Sequence, residues 1–354
     1  MDVLYFVVPL VLSAVLIFPT KMVAKKFKLY AKINKRTIHH GNIPRIGGVA
    51  IFISFVLCSV VIFKQSPSLV KSIVPGASVI FLEGLLDDIF DMKPRLKLLF
   101  QFIAATLLIF VGELSFQMMY LPFGITIHFK VFAYLITYIW VIGITNAINL
   151  IDGLDGLAAG FSIIVLMTMS ILSTVTGLRS AFPICLMLAG ATMGFLFFNF
   201  HPASIFMGDC GAQFLGFMIA AISLYGFKST TFISLTVPII LLFIPILDTL
   251  SAIVRRKLKG ESFSTADKSH FHHQLMNGLG LGQTGAVLTI YVVATLFSIT
   301  AYVYVLDQKI GFMLLLLLVF MFEIFIEYTD MISTDYRPIL NLFDKITKKN
   351  RKKG

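Results

Sequence analysis

The chain has 354 residues, 58% of them apolar and 13% charged, with a mean hydropathy of +0.91 and a formal net charge of +11. Apolar runs of about 18 residues or more recur along it, the length that crosses a hydrocarbon layer as a helix. This excludes a soluble globular domain, and the absence of alternating polarity excludes a membrane barrel, the other architecture that satisfies its backbone groups in lipid.

Eleven spans are expected, over 3–22, 46–64, 72–87, 96–111, 131–149, 157–176, 179–198, 211–227, 229–253, 284–305 and 310–328. The first is read as a retained span and not a cleaved leader, because basic residues follow it and no small-residue cleavage site does. Between the fourth and fifth, the 112–130 stretch is expected to form a small hairpin around LPFG. Cys58, Cys185 and Cys210 share no metal-like spacing and read as small packing residues. The expected class is all-α: a polytopic integral membrane protein with about 11 transmembrane helices, residues 1–335 forming one catalytic domain and 336–354 a basic tail.

Orientation follows from lysine and arginine in the connections. The side holding the 21–45 loop carries 23 of the 29 basic residues. That side is read as cytoplasmic, with the N-terminus outside and the C-terminus inside. The net charge is then mainly a topology signal, and it gives an inner face suited to anionic membrane lipids. The tail KITKKNRKKG is expected to face those lipids, and nothing points to nucleic acid.

The polar clusters fall on the same side: DDIFDMK (87–93), NAINLIDGLDG (146–156), FNFHPASIFMGDCG (198–211) and the loop 255–283. They gather six carboxylates, Asp87, Asp88, Asp91, Asp152, Asp155 and Asp209, which would repel one another at a membrane surface unless a cation relieved them. Hard oxygen ligands without thiolates point to magnesium, with manganese the alternative, over zinc. Asp–Gly twice in succession, and Gly208 and Gly211 about Asp209, let backbone approach a ligand closely, and free N–H groups at a helix start favour phosphate. Metal ligands beside phosphate-friendly backbone imply a diphosphate substrate. His270, His272 and His273 are read as hydrogen-bond donors to phosphate or sugar in preference to zinc ligands, with Arg255, Arg256 and Lys268 as charge partners.

Blander readings apply elsewhere. Asp91 is a candidate solvated helix end, His201 a structural contact, and His39 and His40 part of a basic surface loop. Asp248 is either a site residue or a partner of Arg255. Glu323 and Glu327, spaced i, i+4, mark either a proton path or the inner end of the last span, facing water or tail lysines.

The motifs PRIGGVA (44–50), LLDDIFD, NAINLIDGLDGLAAG, FNFHPASIFMGDCGAQFLG and the H-x-HH loop, in this order over nearly the whole chain, resemble the polyprenyl-phosphate N-acetylhexosamine-1-phosphate transferases. The resemblance is strongest to the bacterial branch that starts teichoic acid, O-antigen and enterobacterial common antigen synthesis. It implies a magnesium-dependent enzyme of the cytoplasmic membrane that moves GlcNAc-1-phosphate from UDP-GlcNAc to undecaprenyl phosphate and releases UMP. Carried over by motif, Asp209 is the magnesium ligand, Asp87 a base and Asp88 its partner. Asn149, Asp152 and Asp155 fall at nucleotide and diphosphate positions, Asn199 and Phe206 line a nucleotide pocket, and Lys97 is a basic residue opening the fourth span, with Lys93 and Arg95 as rivals. His270, His272 and His273 lie near sugar and phosphates. Phe271 interrupts what is a run of three histidines in the sibling enzyme that transfers phospho-MurNAc-pentapeptide, which favours the smaller sugar while leaving that donor and UDP-GalNAc as alternatives. A homodimer is expected by analogy only. A cation-coupled transporter is the alternative of another class; it would place its acids near mid-membrane, not at one surface.

Overall fold

Backbone groups in lipid must bond within their own segment, so apolar runs become helices. The computed structural model describes residues 2–31, 42–62, 67–120, 125–178, 180–228, 235–260, 270–329, 331 and 336–342. In chain order the helices are α1 (Asp2–Lys26), α2 (Gly48–Ile62), α3 (Pro67–Phe90), α4 (Pro94–Phe110), α5 (Ala133–Ile151), α6 (Leu157–Val175), α7 (Ala181–Asn199), α8 (Gly208–Lys228), α9 (Thr236–Leu241), α10 (Phe243–Lys259), the single turn α11 (Phe271–His273), α12 (Gly282–Leu306) and α13 (Gln308–Tyr328). Among the described residues, seven helical segments are long and apolar enough to cross a membrane: α1, Lys130–Ile151, α6, α7, the Gly208–Tyr225 part of α8, α12 and α13.

Three details differ from the expected spans or refine them. The third, expected over 72–87, is part of the 24-residue α3. The ninth is two helices: the backbone breaks at Leu242 (φ −101°, ψ 18°), and Pro245, without an N–H, sits in the first turn of α10. The α10 sequence then carries Asp248, Arg255 and Arg256, so it does not continue as an apolar span. The hairpin forms: Met118–Tyr120 pairs antiparallel with Thr126–His128, a small β exception in an otherwise helical chain, while the LPFG turn lies outside the described residues.

The centre of the bundle is α8, 83% of whose apolar window is buried inside the protein, against 22% for α1 and α13. It packs on α3 and α5. Its first turn is gripped by backbone: a Cβ on Gly84 of α3 would lie 2.5 Å from Cys210 Cα, and one on Gly48 of α2 would lie 2.2 Å from Gly211 Cα. Only glycine permits this approach. The grip sets the start of α8 against the end of α3, with α4 and α5 alongside.

Candidate active site

The site grows from the start of α8. Gly208 takes φ +74°, turning the chain into the helix. The first N–H groups of a helix have no partner of their own, and here a carboxylate from another helix supplies one. Asp88 Oδ1 accepts from Asp209 N (3.0 Å) and Oδ2 from Cys210 N (3.0 Å). Arg45 Nε donates to Asp88 Oδ1 at 3.1 Å, and the Asp88 side chain is fully buried. The PRIGG motif thereby gains a role. Its backbone pairs with the FMGD segment, Phe206 N with Pro44 O (2.8 Å), Gly47 N with Phe206 O (2.9 Å) and Gly48 N with Met207 O (2.8 Å), while its arginine holds the cap.

On the other side of this cap, charges converge. Lys97 Nζ, in the first turn of α4, lies 2.7 Å from Asp87 Oδ2 and 2.7 Å from Asp209 Oδ2. Asn149 Nδ2, from the end of α5, reaches Asp209 Oδ2 at 3.5 Å, and Met92 N donates to Asp87 Oδ1 at 2.8 Å. Four helix ends thus bring Asp87, Lys97, Asn149 and Asp209 together. Two carboxylate oxygens meet at one point, the Lys97 ammonium.

The NLIDGLDG loop flanks this point. Burial, then the negative charges of Asp209, Asp88 and Asp155, push Asp152 from an ordinary 3.8 up to about 7. A raised carboxyl pKa makes its charge a penalty on the folded state, absent below pH 3.8 and growing as pH rises through 7. Asp152→Asn should therefore raise the thermal midpoint of the substrate-free protein, by about 2–4 °C at pH 8 and by less at pH 5; a midpoint equal to wild type at both pH values would contradict this.

Asp155 and Asn199, expected at the nucleotide, are used inside the protein. Asp155 Oδ2 bonds His201 Nδ1 (2.7 Å) and Ala203 N (3.1 Å). Asn199 is buried, its Oδ1 accepting from Gly156 N (3.0 Å) and its Nδ2 donating to Ile205 O (3.0 Å). Tyr291 Oη donates to Gly156 O at 2.6 Å. The bonds of Asp155 and Asn199 stitch the Asp–Gly loop to the segment leading into α8, and Tyr291 ties it to α12. His201 is the structural contact the sequence implied. Phe206, half-buried, lies in that same segment.

The histidine turn is held from below. Asp248 on α10 bonds His270 Nδ1 (3.0 Å) and accepts from Phe271 N (2.9 Å), so its partner is His270. His270 and His272 are buried with parallel rings 5.8 Å apart, and His273 is half-buried beside them. His272 reaches the Asp–Gly loop: a Cβ on Gly153 would lie 2.6 Å from its Nε2. Burial, then the charge of His273, pushes His272 down to about 3, so it faces the loop as a neutral ring. Gly153→Ala should displace this ring and lower turnover by about tenfold with little change in thermal midpoint; wild-type turnover would show that the ring's place does not matter.

Other expected residues lie elsewhere. Arg255 is buried and its Nη1 donates to Met331 O (2.9 Å), and Arg256 is half-buried on the same helix. Asp91 is exposed just past α3. Glu327 is buried and accepts from Ile339 N (2.8 Å) and Leu340 N (2.7 Å), and Glu323 accepts from Tyr336 Oη (2.8 Å), so both tie down the segment after α13. Lys268, His39, His40 and residues 343–354 of the tail lie outside the described residues. Sequence reasoning passed over Glu83, Gln101, Asn146 and Gln213, polar residues within apolar helices, each three or four positions from a site residue.

Fold and site together define a multi-pass helical membrane protein whose charged residues converge at the ends of four of its helices. Residues 70–227 match glycosyl transferase family 4. The chain is 39% identical over 355 residues to a Bacillus subtilis protein named probable undecaprenyl-phosphate N-acetylglucosaminyl 1-phosphate transferase, covering 98% of each. It is 34% identical to a Mycobacterium tuberculosis decaprenyl-phosphate N-acetylglucosaminephosphotransferase, over 77% of this chain and 75% of that one. It is also 26% identical to the Escherichia coli undecaprenyl-phosphate alpha-N-acetylglucosaminyl 1-phosphate transferase, over 81% of this chain and 80% of that one. The chain belongs to glycosyl transferase family 4.

Proposed function

We propose that this protein transfers GlcNAc-1-phosphate from UDP-GlcNAc to undecaprenyl phosphate and releases UMP, starting synthesis of a cell-surface polymer of the teichoic acid or lipopolysaccharide kind. The observation that carries this reading is the convergence of Asp87 and Asp209 on one cationic point at Lys97, in a chain matched end to end by a relative named for this transfer. The site opens on the cytoplasmic face, with the N-terminus outside, residues 1–335 as the catalytic domain and the basic tail on the inner leaflet. The 23-to-6 division of basic residues supports that orientation.

In this reading an oxygen of the acceptor phosphate attacks the β-phosphorus of the UDP-sugar, and the UMP oxygen leaves in line. Asp209 would hold a magnesium ion, or manganese in its place; its hard carboxylate oxygen beside Lys97 fits such an ion, which neutralises diphosphate charge when bound. Lys97 shares that task, and Asn149 and Asp152 border the diphosphate. His272 and His273 offer hydrogen bonds to phosphate or sugar, with His270 steadied by Asp248. Phe206 contributes a ring to the uridine side. Positioning and electrostatics carry most of such a transfer. The acceptor's second pKa is near about 6, so Asp87 has only a residual proton to take. In this reading Asp88 serves as a cap, its carboxylate oxygens holding Arg45 and the start of α8.

The test is purified protein with magnesium and undecaprenyl phosphate, scored for UMP with UDP-GlcNAc, UDP-GalNAc and UDP-MurNAc-pentapeptide in parallel. UMP from UDP-GlcNAc alone is the expected result. Turnover with another donor and none with UDP-GlcNAc would overturn the donor assignment, and none with any would overturn the transfer itself.

A further inference from the structure

Beneath the converging charges lies a second polar layer, one helical turn further into the bundle. Glu83 precedes Asp87 by four residues on α3, Gln101 follows Lys97 by four on α4, Gln213 follows Asp209 by four on α8, and Asn146 precedes Asn149 by three on α5. Positions three or four apart share a helix face, so each helix presents one group to the site and a second directly below. The lower groups bond to one another. Gln213 Nε2 donates to Glu83 Oε1 (3.4 Å), Gln101 Nε2 donates to Gln213 Oε1 (2.9 Å), and Asn146 Nδ2 donates to Gln101 Oε1 (2.7 Å). Glu83 and Gln213 are fully buried and Gln101 nearly so. Glu83 Oε2 has no hydrogen-bond partner among the described residues. An apolar layer of the same shape would stabilise the bundle at least as well, because a buried polar network with an open end is costly. Leucine at these positions would also let the four helices slide and rotate against one another, since dispersion contacts lack direction.

We infer that Glu83, Gln101, Asn146 and Gln213 form a positioning layer that fixes the rotation of α3, α4, α5 and α8 and so holds Asp87, Lys97, Asn149 and Asp209 in register for transfer. Glu83, Gln101 and Gln213 are buried, and each of the four acts through the site residue one turn above it. Glu83 acts by shape and hydrogen bonding, so glutamine should replace it. A misplacement of about 1 Å costs up to about 100-fold in rate, which sets the scale of the effect.

The inference rests on the transferase reading, and the experiment separates the two. Full-length protein in detergent would be compared as wild type, Glu83→Met, Glu83→Gln, and the exchanged pair Glu83→Gln with Gln213→Glu. UMP release gives kcat and KM, and Mn²⁺ binding by electron paramagnetic resonance reads the site without turnover. Glu83→Met should lower kcat about 10- to 100-fold and weaken Mn²⁺ about tenfold, with KM for UDP-GlcNAc within about threefold of wild type and a thermal midpoint within about 4 °C of it, because Gln213 Nε2 loses its acceptor while a buried carboxyl is removed. Glu83→Gln and the exchanged pair should stay within about threefold of wild type. Wild-type kcat and Mn²⁺ affinity in Glu83→Met would overturn the positioning role. Loss in Glu83→Gln equal to that in Glu83→Met would overturn it too, by showing that the acid itself is needed. Should Glu83→Met fail to fold, Gln101→Leu carries the same two outcomes. A wild type that binds Mn²⁺ but releases no UMP would sink the transferase reading alone, and Mn²⁺ affinity across the variants would still decide the layer.

Discussion

Asp209→Asn should abolish UMP release, by about a thousand-fold or more, while leaving the protein folded and its thermal midpoint within about 2 °C of wild type. The substitution keeps the size of the side chain and the backbone N–H that Asp88 caps, so the start of α8 has no reason to move. It removes the charge on which Lys97 and Asn149 converge. The remaining carboxylate, Asp87, keeps its contact with Lys97, so the ammonium stays in place but its positive charge is balanced by one acid in place of two. A diphosphate with its cation would then meet a site with too much positive charge on one side and one anionic ligand short. Raising magnesium about tenfold above the wild-type requirement should not restore turnover. Activity surviving in Asp209→Asn at low magnesium would mean that the metal is held elsewhere or not needed.

Helices and site differ in how far they could be read from residues alone. Long apolar runs fix helices because lipid leaves backbone groups no other partner, and the runs 157–176 and 310–328 became α6 (Leu157–Val175) and α13 (Gln308–Tyr328). The ninth expected span came out as two helices, because hydropathy does not register a break at one residue, Leu242, or the turn from apolar to amphipathic that follows Pro245. The acids were visible as a cluster, but their division of labour was not. Asp87 and Asp88 are adjacent in sequence and point to different neighbours, which only the packing of α3 against α8 decides. Asn199 and Asp155 read as ligand groups because they sit in a motif, yet the motif also has to fold, and their atoms bond loop backbone. Arg45, Asp248 and the layer from Glu83 to Asn146 gave a weaker signal: polar residues flanked by apolar ones, with partners far away in sequence.

The adjacent aspartates should answer substitution in opposite ways. Asp88→Ala is expected to cost about 3–5 kcal/mol of stability, because it leaves the Arg45 guanidinium without its carboxylate and strips the acceptor from two N–H groups at the start of α8. That loss would appear as aggregation on heating well below the wild-type midpoint, and inactivity would follow from it. Asp87→Asn removes a charge from a side chain that holds no helix end, only Lys97 and the turn at Met92. Its expected signature is a thermal midpoint near wild type with kcat lower by about 100-fold, in line with loss of a group that steers a proton and balances Lys97. A double-mutant cycle decides the first half. If Asp88 acts through Arg45 and α8, adding Arg45→Met to Asp88→Ala should destabilise less than the sum of the single changes, since the half-buried guanidinium no longer lacks its carboxylate. If Asp88 were instead a reacting group, Asp88→Asn would keep the wild-type midpoint and lose turnover as Asp87→Asn does, and the stability of the two single variants would not separate them.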